Sequence, residues 1–180
     1  MRTFSSVINR PDKSEYDPYY ERYISLVSGN DVLTLLHTQG QETVDLLSTA
    51  TETKGDYRYA PDKWSVKELV GHMSDTERIL NYRALRISRN DPTPLEGFEQ
   101  DDYVRNGPFG ACRLRDLVDD FANVRQATIS LFRQISEEAW SRRGTANKVA
   151  VSVRALAFII LGHELHHRKI LQQKYLQPRP

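Results

Sequence analysis

Apolar residues recur every three or four positions in four long segments of the chain, which is the spacing of the inward face of an amphipathic helix. These segments are residues 32 to 50, 66 to 88, 114 to 135 and 153 to 175. The rest of the sequence shows no convincing alternation of apolar and polar residues, which is the pattern of a half-buried strand. The pattern therefore predicts an all-α protein with four long helices.

Local signals mark where two of these helices begin. Ser65 and Glu68 have the spacing of a capping box, and Trp64 before them has the position of a hydrophobic staple. Ser152 is placed to cap the last helix, and Pro178 follows its end. The sequence thus predicts helix starts at residues 66 and 153.

The connections between the helices predict the topology. Ser88 to Gly110 contains too many Pro and Gly residues for regular structure, and it is too long for a tight turn between antiparallel neighbours. We therefore predict a four-helix bundle with a long crossover connection between helices 2 and 3. Residues 136 to 140 resemble a short capped turn, and the loop at residues 141 to 150 could pair briefly as a hairpin.

Length and composition indicate one domain. The chain has 180 residues, of which 39% are hydrophobic, and this can furnish a single core. Residues 1–20 mix Pro, Asp, Ser and Tyr without a period, so we expect an N-terminal arm that lies on the domain. Residues 21–180 are expected to form the single helical-bundle domain.

The charge of the chain argues against some partners. A net charge of +1, with both signs interspersed, gives no basic stripe, so we expect no nucleic-acid partner. The longest apolar run, Ala155 to Leu161, is too short to cross a bilayer, so no membrane partner is expected. One cysteine, Cys112, excludes an internal disulfide, and no apolar signal core precedes Arg10, so the cytoplasm is the expected compartment.

Three of the five histidines suggest a metal site. His163 and His167 are four residues apart on the inward stripe of the last helix, so both imidazoles can coordinate one divalent cation. His72, on the second helix, can supply a third nitrogen. Three neutral imidazoles would leave coordination positions open for water or substrate, and they accept zinc, nickel or other ions. The alternative is that these histidines are hydrogen-bonded core residues.

Other polar residues lie near these histidines in the predicted helices. Arg125 interrupts the apolar stripe of the third helix, where it could hold a substrate carboxylate or pair with a buried acid such as Asp75. Asp75 could instead accept a hydrogen bond from the second ring nitrogen of a metal-binding histidine. The ordinary alternative is that it lies on a solvent-exposed helix face. His166 is expected beside the ligands or at the surface.

A competing interpretation comes from His163-Glu-Leu-His-His167, which matches the H-E-x-x-H helix of zinc proteases. Glu164 would then be a general base. The residues after Arg168 contain no further His, Asp or Glu, so a third ligand must come from upstream. No strand is predicted that could hold an extended peptide beside the metal. Proteolysis is therefore the minor alternative.

Several segments together resemble the DinB-like superfamily. Tyr59 to Arg78 is similar to the second-helix signature of that family, Gly97 to Val104 to the segment after it, and His163 to Leu171 to its last helix. The resemblance covers roughly residues 20 to 176. It implies a four-helix bundle with a crossover, often dimeric, whose metal ligands here would be His72, His163 and His167.

The resemblance leaves two classes of function open. Some members resemble thiol S-transferases or a thiol-dependent isomerase, which implies a metal-dependent enzyme of transferase or hydrolase type that acts on a small molecule, with a low-molecular-weight thiol as a candidate cofactor. The other class is a non-catalytic, dimeric module that binds metal or ligand. Phe158, Leu161 and Leu165 form a second apolar stripe, which could cover this same chain or form the seam of a homodimer.

Overall fold

The computed structural model describes residues 7–176 and is mostly helical. The helices are α1 (Glu21–Ile24), α2 (Val32–Ser48), α3 (Glu52–Gly55), α4 (Val66–Ser88), α5 (Gln100–Asn106), α6 (Leu114–Phe132) and α7 (Val153–Ile170). Shorter 3-10 turns span Lys13–Glu15, Pro18–Tyr20, Phe109–Ala111 and Glu137–Ser141, and α7 continues as one π-helical turn, Leu171–Tyr175. The four predicted long helices correspond to α2, α4, α6 and α7. Pro178 lies outside the described residues.

The ends of the long helices follow the predicted caps. The Ser65 hydroxyl accepts a hydrogen bond from the Glu68 amide, and the Glu68 carboxylate accepts one from the Ser65 amide, which confirms the capping box of α4. The Ser152 hydroxyl accepts from the Ala155 amide at 3.0 Å at the start of α7. Each cap satisfies amides that have no partner within the helix.

The four long helices pack as a bundle in which α4 and α2 each contact both α6 and α7. Two apolar clusters fill the interior, and a polar layer lies between them. The first cluster includes Leu36, Leu80, Ile129 and Leu161. The second cluster includes Leu47, Met73, Phe121 and Leu171. The polar layer takes one residue from each helix, namely Thr43, Glu77, Arg125 and Glu164.

The hairpin suggested for residues 141 to 150 is present, and the connection from 88 to 110 contains more regular structure than predicted. Strand β1 (Arg143–Ala146) pairs antiparallel with β2 (Val149–Ser152), so the fold includes a small two-stranded sheet and is not strictly all-α. Asn147 and Lys148 join the strands with φ angles of 51° and 66°, the conformation of a two-residue type I′ turn. The segment from 88 to 110, predicted to be irregular, contains α5, which packs on α4.

The segment before α1 packs on the bundle. Glu15 is buried and forms an ion pair with Arg154, and Ile8 and Tyr16 are also buried. The division of the chain at residue 20 stays a prediction.

Two further features bear on partners. Phe158 and Leu161 are fully buried within the chain, so of the two alternatives for the stripe that they form with Leu165, the structure shows the one in which it packs inside this chain. Within the described residues, no helix combines the length and the apolar character needed to cross a bilayer.

Candidate metal centre

Three buried imidazoles from two helices converge on one point. His72 comes from α4, and His163 and His167 come from consecutive turns of α7. The Nε2 atom of His163 lies 3.1 Å from Nε2 of His72 and 3.1 Å from Nε2 of His167. The three potential ligand atoms all lie within 4.8 Å of one another. The structure thus brings together the three histidines whose spacing suggested a shared site.

Burial keeps these imidazoles neutral. Loss of solvent lowers the pKa of His72 to about 4. It also lowers the pKa values of His163 and His167 well below the ordinary value of 6.5, and the neighbouring histidines lower them further. Since a metal ion binds the deprotonated imidazole nitrogen, all three are in the ligating form at neutral pH.

The nitrogen separations fit a shared cation better than a hydrogen-bonded core. A tetrahedral ion with metal–nitrogen bonds of about 2.0 Å to 2.1 Å would separate its ligand nitrogens by about 3.3 Å, close to the distances found. An imidazole nitrogen offers one in-plane proton or one lone pair. The Nε2 atom of His163 therefore cannot serve both His72 and His167 by hydrogen bonding, whereas one cation would satisfy all three lone pairs.

Aromatic neighbours hold two of these rings. The Trp64 ring packs against His72 with centroids 4.6 Å apart, and the Tyr23 and His163 rings form a T-shaped pair with centroids 5.4 Å apart. Thr76 Oγ1 is 3.5 Å from Nδ1 of His72. The Nδ1 atom of His167 is buried and has no hydrogen-bond partner among residues 7–176. Packing, more than hydrogen bonding, fixes the orientation of the rings.

Arg125 is fully engaged by two buried acids next to the histidines. Its Nε and Nη2 atoms donate to the two carboxylate oxygens of Glu77, at 2.8 Å and 2.7 Å, and its Nη1 atom donates to Glu164 at 2.6 Å. Burial opposes its charge, but the two carboxylates outweigh this effect and raise the pKa of Arg125. The acids that pair with Arg125 are therefore Glu77 and Glu164. The suggested pairing with Asp75 is wrong.

Glu164 is equally constrained. One of its oxygens accepts from Arg125 and the other from the Thr43 hydroxyl, both at 2.6 Å. A carboxylate held by these two donors is poorly placed to take a proton from a reacting water. The geometry therefore contradicts the role of general base that the H-E-x-x-H match suggested.

The remaining two predicted residues lie at the edge of the site. Asp75 is partly exposed and pairs with Arg78 at 3.4 Å, and partial burial raises the pKa of its carboxyl group. Among residues 7–176, Asp75 forms no hydrogen bond with any of the three imidazoles. His166 is half-buried, with its ring against Tyr23 and His167.

A cavity of about 480 Å³ gives access to the histidines. His72 and His163 line it, whereas His167 is not among the lining residues. The other lining residues include Tyr20, Tyr23 and Phe98, together with Arg83 further along α4. A small molecule in this cavity would contact two of the three imidazoles.

The sequence analysis did not identify Arg83. The face of α4 that lines the cavity carries His72, Thr76, Leu80 and Arg83. These residues are spaced by four, four and three positions, which is the spacing of a single helix face. The same spacing, continued one turn beyond Leu80 on the face that carries His72, would have identified this arginine.

Comparison with protein families places this arrangement in a known group. The family model of the DinB superfamily matches residues 35–171, which include all three histidines. No curated protein matches the sequence significantly.

Two solved structures show the same fold at low sequence identity. The first, from Bacillus subtilis, is described as YfiT, "a probable metal-dependent hydrolase with an unusual four-helix bundle topology". It is 13% identical, has a TM-score of 0.68, and the alignment covers 92% of this chain and 91% of YfiT. The second is a mycothiol-dependent maleylpyruvate isomerase, 15% identical with a TM-score of 0.65. That alignment covers 85% of this chain but 62% of the isomerase, so the isomerase has a large part without counterpart here.

Proposed function

Because this chain belongs to the DinB superfamily and three neutral imidazoles converge at the wall of its cavity, we propose that it is a metal-dependent enzyme that acts on a small molecule. His72, His163 and His167 would hold a divalent metal ion. The observation that carries the proposal is the position of Nε2 of His163, 3.1 Å from the Nε2 atoms of both other histidines.

The residues of the chain would perform the supporting tasks. When bound, the metal ion lowers the pKa of a coordinated water or thiol, so that a nucleophile is available near neutral pH. Tyr23 and Trp64 keep two of the imidazoles in position. The cavity beside His72 and His163 would admit the small molecule, and His167 would bind the metal ion from outside the cavity lining. Zinc or nickel suits three imidazole ligands.

Two reaction types remain within this proposal. Hydrolysis is supported by the likeness to the YfiT fold over nearly the full length of both chains. Transfer to a low-molecular-weight thiol is supported by the likeness to the thiol-dependent isomerase. A metal-activated thiol requires no separate base, which agrees with the engagement of Glu164 by Arg125 and Thr43.

Metal analysis tests the site directly. The protein would be purified, loaded with zinc or nickel, and analysed for bound metal, next to His163→Ala and to His37→Ala as the matched control. His37 is exposed on α2 and outside the cluster. We expect about one ion per chain in the wild type and in His37→Ala, and a loss of affinity of at least about tenfold in His163→Ala, because a first-row ion loses one of three protein ligands. Equal metal content in all three proteins would contradict the proposal.

The same proteins test catalysis. An ester and a reactive alkyl halide would be incubated with the metal-loaded protein, with and without a small thiol. Turnover that His163→Ala abolishes supports an enzyme, and its dependence on thiol separates a transferase from a hydrolase. Saturable binding without product would instead support the non-catalytic binding module.

We also propose a crossover connection, a cytoplasmic location and a homodimer. The crossover is supported by two contacts, Arg78 with Asp120 and Asn81 with Thr128, whose order along the chain is that of two helices running in the same direction. The chain between them must then return along the bundle.

Dimer formation depends on the family resemblance, and light scattering would measure it.

A further inference from the structure

Arg83 differs from the other buried cations of the described chain in lacking an acidic partner. Lys67 pairs with Glu52 and Asp56, and the buried Arg125 also has two carboxylates. Arg83 is as deeply buried, with 4% of its surface exposed, yet no carboxylate within residues 7–176 forms an ion pair with it. A buried charge without an opposite charge is costly.

The groups around the Arg83 guanidinium are neutral. Its Nη2 atom donates to the backbone oxygen of Glu96 at 2.7 Å. The Tyr20 hydroxyl is also within hydrogen-bonding reach, and burial raises the pKa of Tyr20, so this phenol carries no charge at neutral pH. These contacts use some of the five N–H donors of the arginine. None of them supplies a negative charge that would balance the guanidinium.

Arg83 also faces the same cavity as the histidines. It is eleven residues from His72 on α4, which is three turns and about 16 Å along the axis, and the two side chains lie on one face. The arginine side chain leans toward the start of the helix and shortens that distance. A molecule that contacts both ends must therefore be elongated.

We propose that Arg83 binds the carboxylate of an elongated, singly charged organic acid whose other end lies at the histidines. Asp17 and Glu99 line the same cavity without pairing with Arg83, so a second negative charge on the ligand would be repelled. The aromatic lining, Tyr23 and Phe98 among it, suits an apolar body between the two ends. This inference deepens the proposed function, because it names the class of molecule on which the metal centre would act.

The probe is 4-phenylbutyrate, with its neutral analogue 4-phenylbutanamide, measured by titration calorimetry on the metal-free protein at neutral pH. The variants are Arg83→Met and the control Arg89→Met, which removes an exposed arginine from the end of the same helix outside the cavity. We expect Arg83→Met to weaken binding of the acid by about tenfold or more and to leave binding of the amide unchanged, because a charge-assisted hydrogen bond is lost. Arg89→Met should bind both compounds like the wild type.

Three results would overturn the proposal. These are equal binding of acid and amide by the wild type, wild-type affinity for the acid in Arg83→Met, and no measurable binding of either compound. If Arg83→Met fails to fold, Arg83→Lys takes its place, and it should lose part of the preference for the acid because an ammonium cannot bind a carboxylate in bidentate fashion. In the wild type alone, equal binding of acid and amide would already reject the proposal, whereas the variant is needed to assign a preference for the acid to Arg83.

The metal content of the same preparations separates this inference from the proposed function. Normal metal uptake without any preference for the acid would reject the role of Arg83 alone. A preference for the acid that depends on Arg83, in a protein that takes up no metal, would reject the metal centre alone.

Discussion

At the scale of single residues, the interior of this protein depends on a network of opposite charges. Arg125 binds Glu77 and Glu164, and the Thr128 and Thr43 hydroxyls donate to the same two carboxylates. Every donor-bearing nitrogen of the guanidinium has a protein acceptor. Arg125 is therefore occupied, and it is not available to hold a substrate.

Removal of this arginine should destabilise the fold strongly. We expect Arg125→Met to lower the free energy of unfolding by about 3–5 kcal/mol, because two carboxylates lose their buried partner. Urea denaturation would measure the change.

A second variant and a control sharpen this test. Addition of Glu77→Gln and Glu164→Gln should recover part of the loss, since the buried negative charges are removed as well. The control Arg113→Met breaks an exposed pair with Asp116, so its effect on stability should be small. Similar losses in Arg125→Met and Arg113→Met would contradict a structural role for the buried network.

At the scale of elements, a glycine sets the distance between α1 and α7. A Cβ atom built on Gly162 would lie 2.1 Å from the backbone oxygen of Tyr23. The two helices can be this close only because residue 162 has no side chain. The contact matters to the site, since Tyr23 lines the cavity and Gly162 precedes His163.

Substitution of this glycine should push α1 away from the bundle. We expect Gly162→Ala to lower the free energy of unfolding by about 1–3 kcal/mol, the usual effect of overpacking, even though alanine favours a helix. Denaturation of Gly110→Ala provides the control, because a Cβ there meets no atom within 4 Å. A Gly162→Ala protein as stable as the wild type would show that α1 adjusts freely.

At the scale of the whole molecule, the buried histidines couple stability to pH. In the unfolded chain they take up protons below an ordinary pKa of about 6.5, whereas in the folded state burial lowers the pKa of His72 to about 4 and those of His163 and His167 well below 6.5. Below pH 6.5 the unfolded state therefore binds more protons than the folded one. Stability is complete above that pH and is lost as the pH falls.

The metal-free protein should accordingly lose stability between about pH 6.5 and 4, with His72 alone contributing on the order of 3 kcal/mol. Thermal unfolding of the chelated protein across this range would measure the effect. His72→Gln should reduce the slope and His37→Gln should not.

A flat profile between pH 6.5 and 4.5 would contradict the burial of neutral imidazoles. Glu15, a further buried carboxylate, affects stability at lower pH. The Arg154 guanidinium and other hydrogen-bond donors outweigh burial and lower the pKa of Glu15 to about 2, so its contribution is lost below about pH 4.5.

Much of the architecture could be predicted because it depends on near neighbours in the chain. Helical periodicity located α2, α4, α6 and α7, and the capping box at Ser65 fixed the start of α4 to the residue. The four-residue spacing of His163 and His167 likewise determined that both imidazoles share one face of α7. Helix α5 was missed because Pro and Gly around it obscured a segment only seven residues long.

Local sequence was therefore sufficient to locate the helices, their inward faces, and the histidines that those faces carry. The packing of the bundle, in contrast, selects Glu77 and Glu164 as the partners of Arg125, which leaves Glu164 unavailable as a base. It also places Arg83 at the cavity, where no carboxylate of residues 7–176 forms an ion pair with it. The physical reason is that helix geometry acts over three or four residues, whereas ion pairs between helices join residues such as 77 and 125, and only the packing of the bundle selects among the acids within reach.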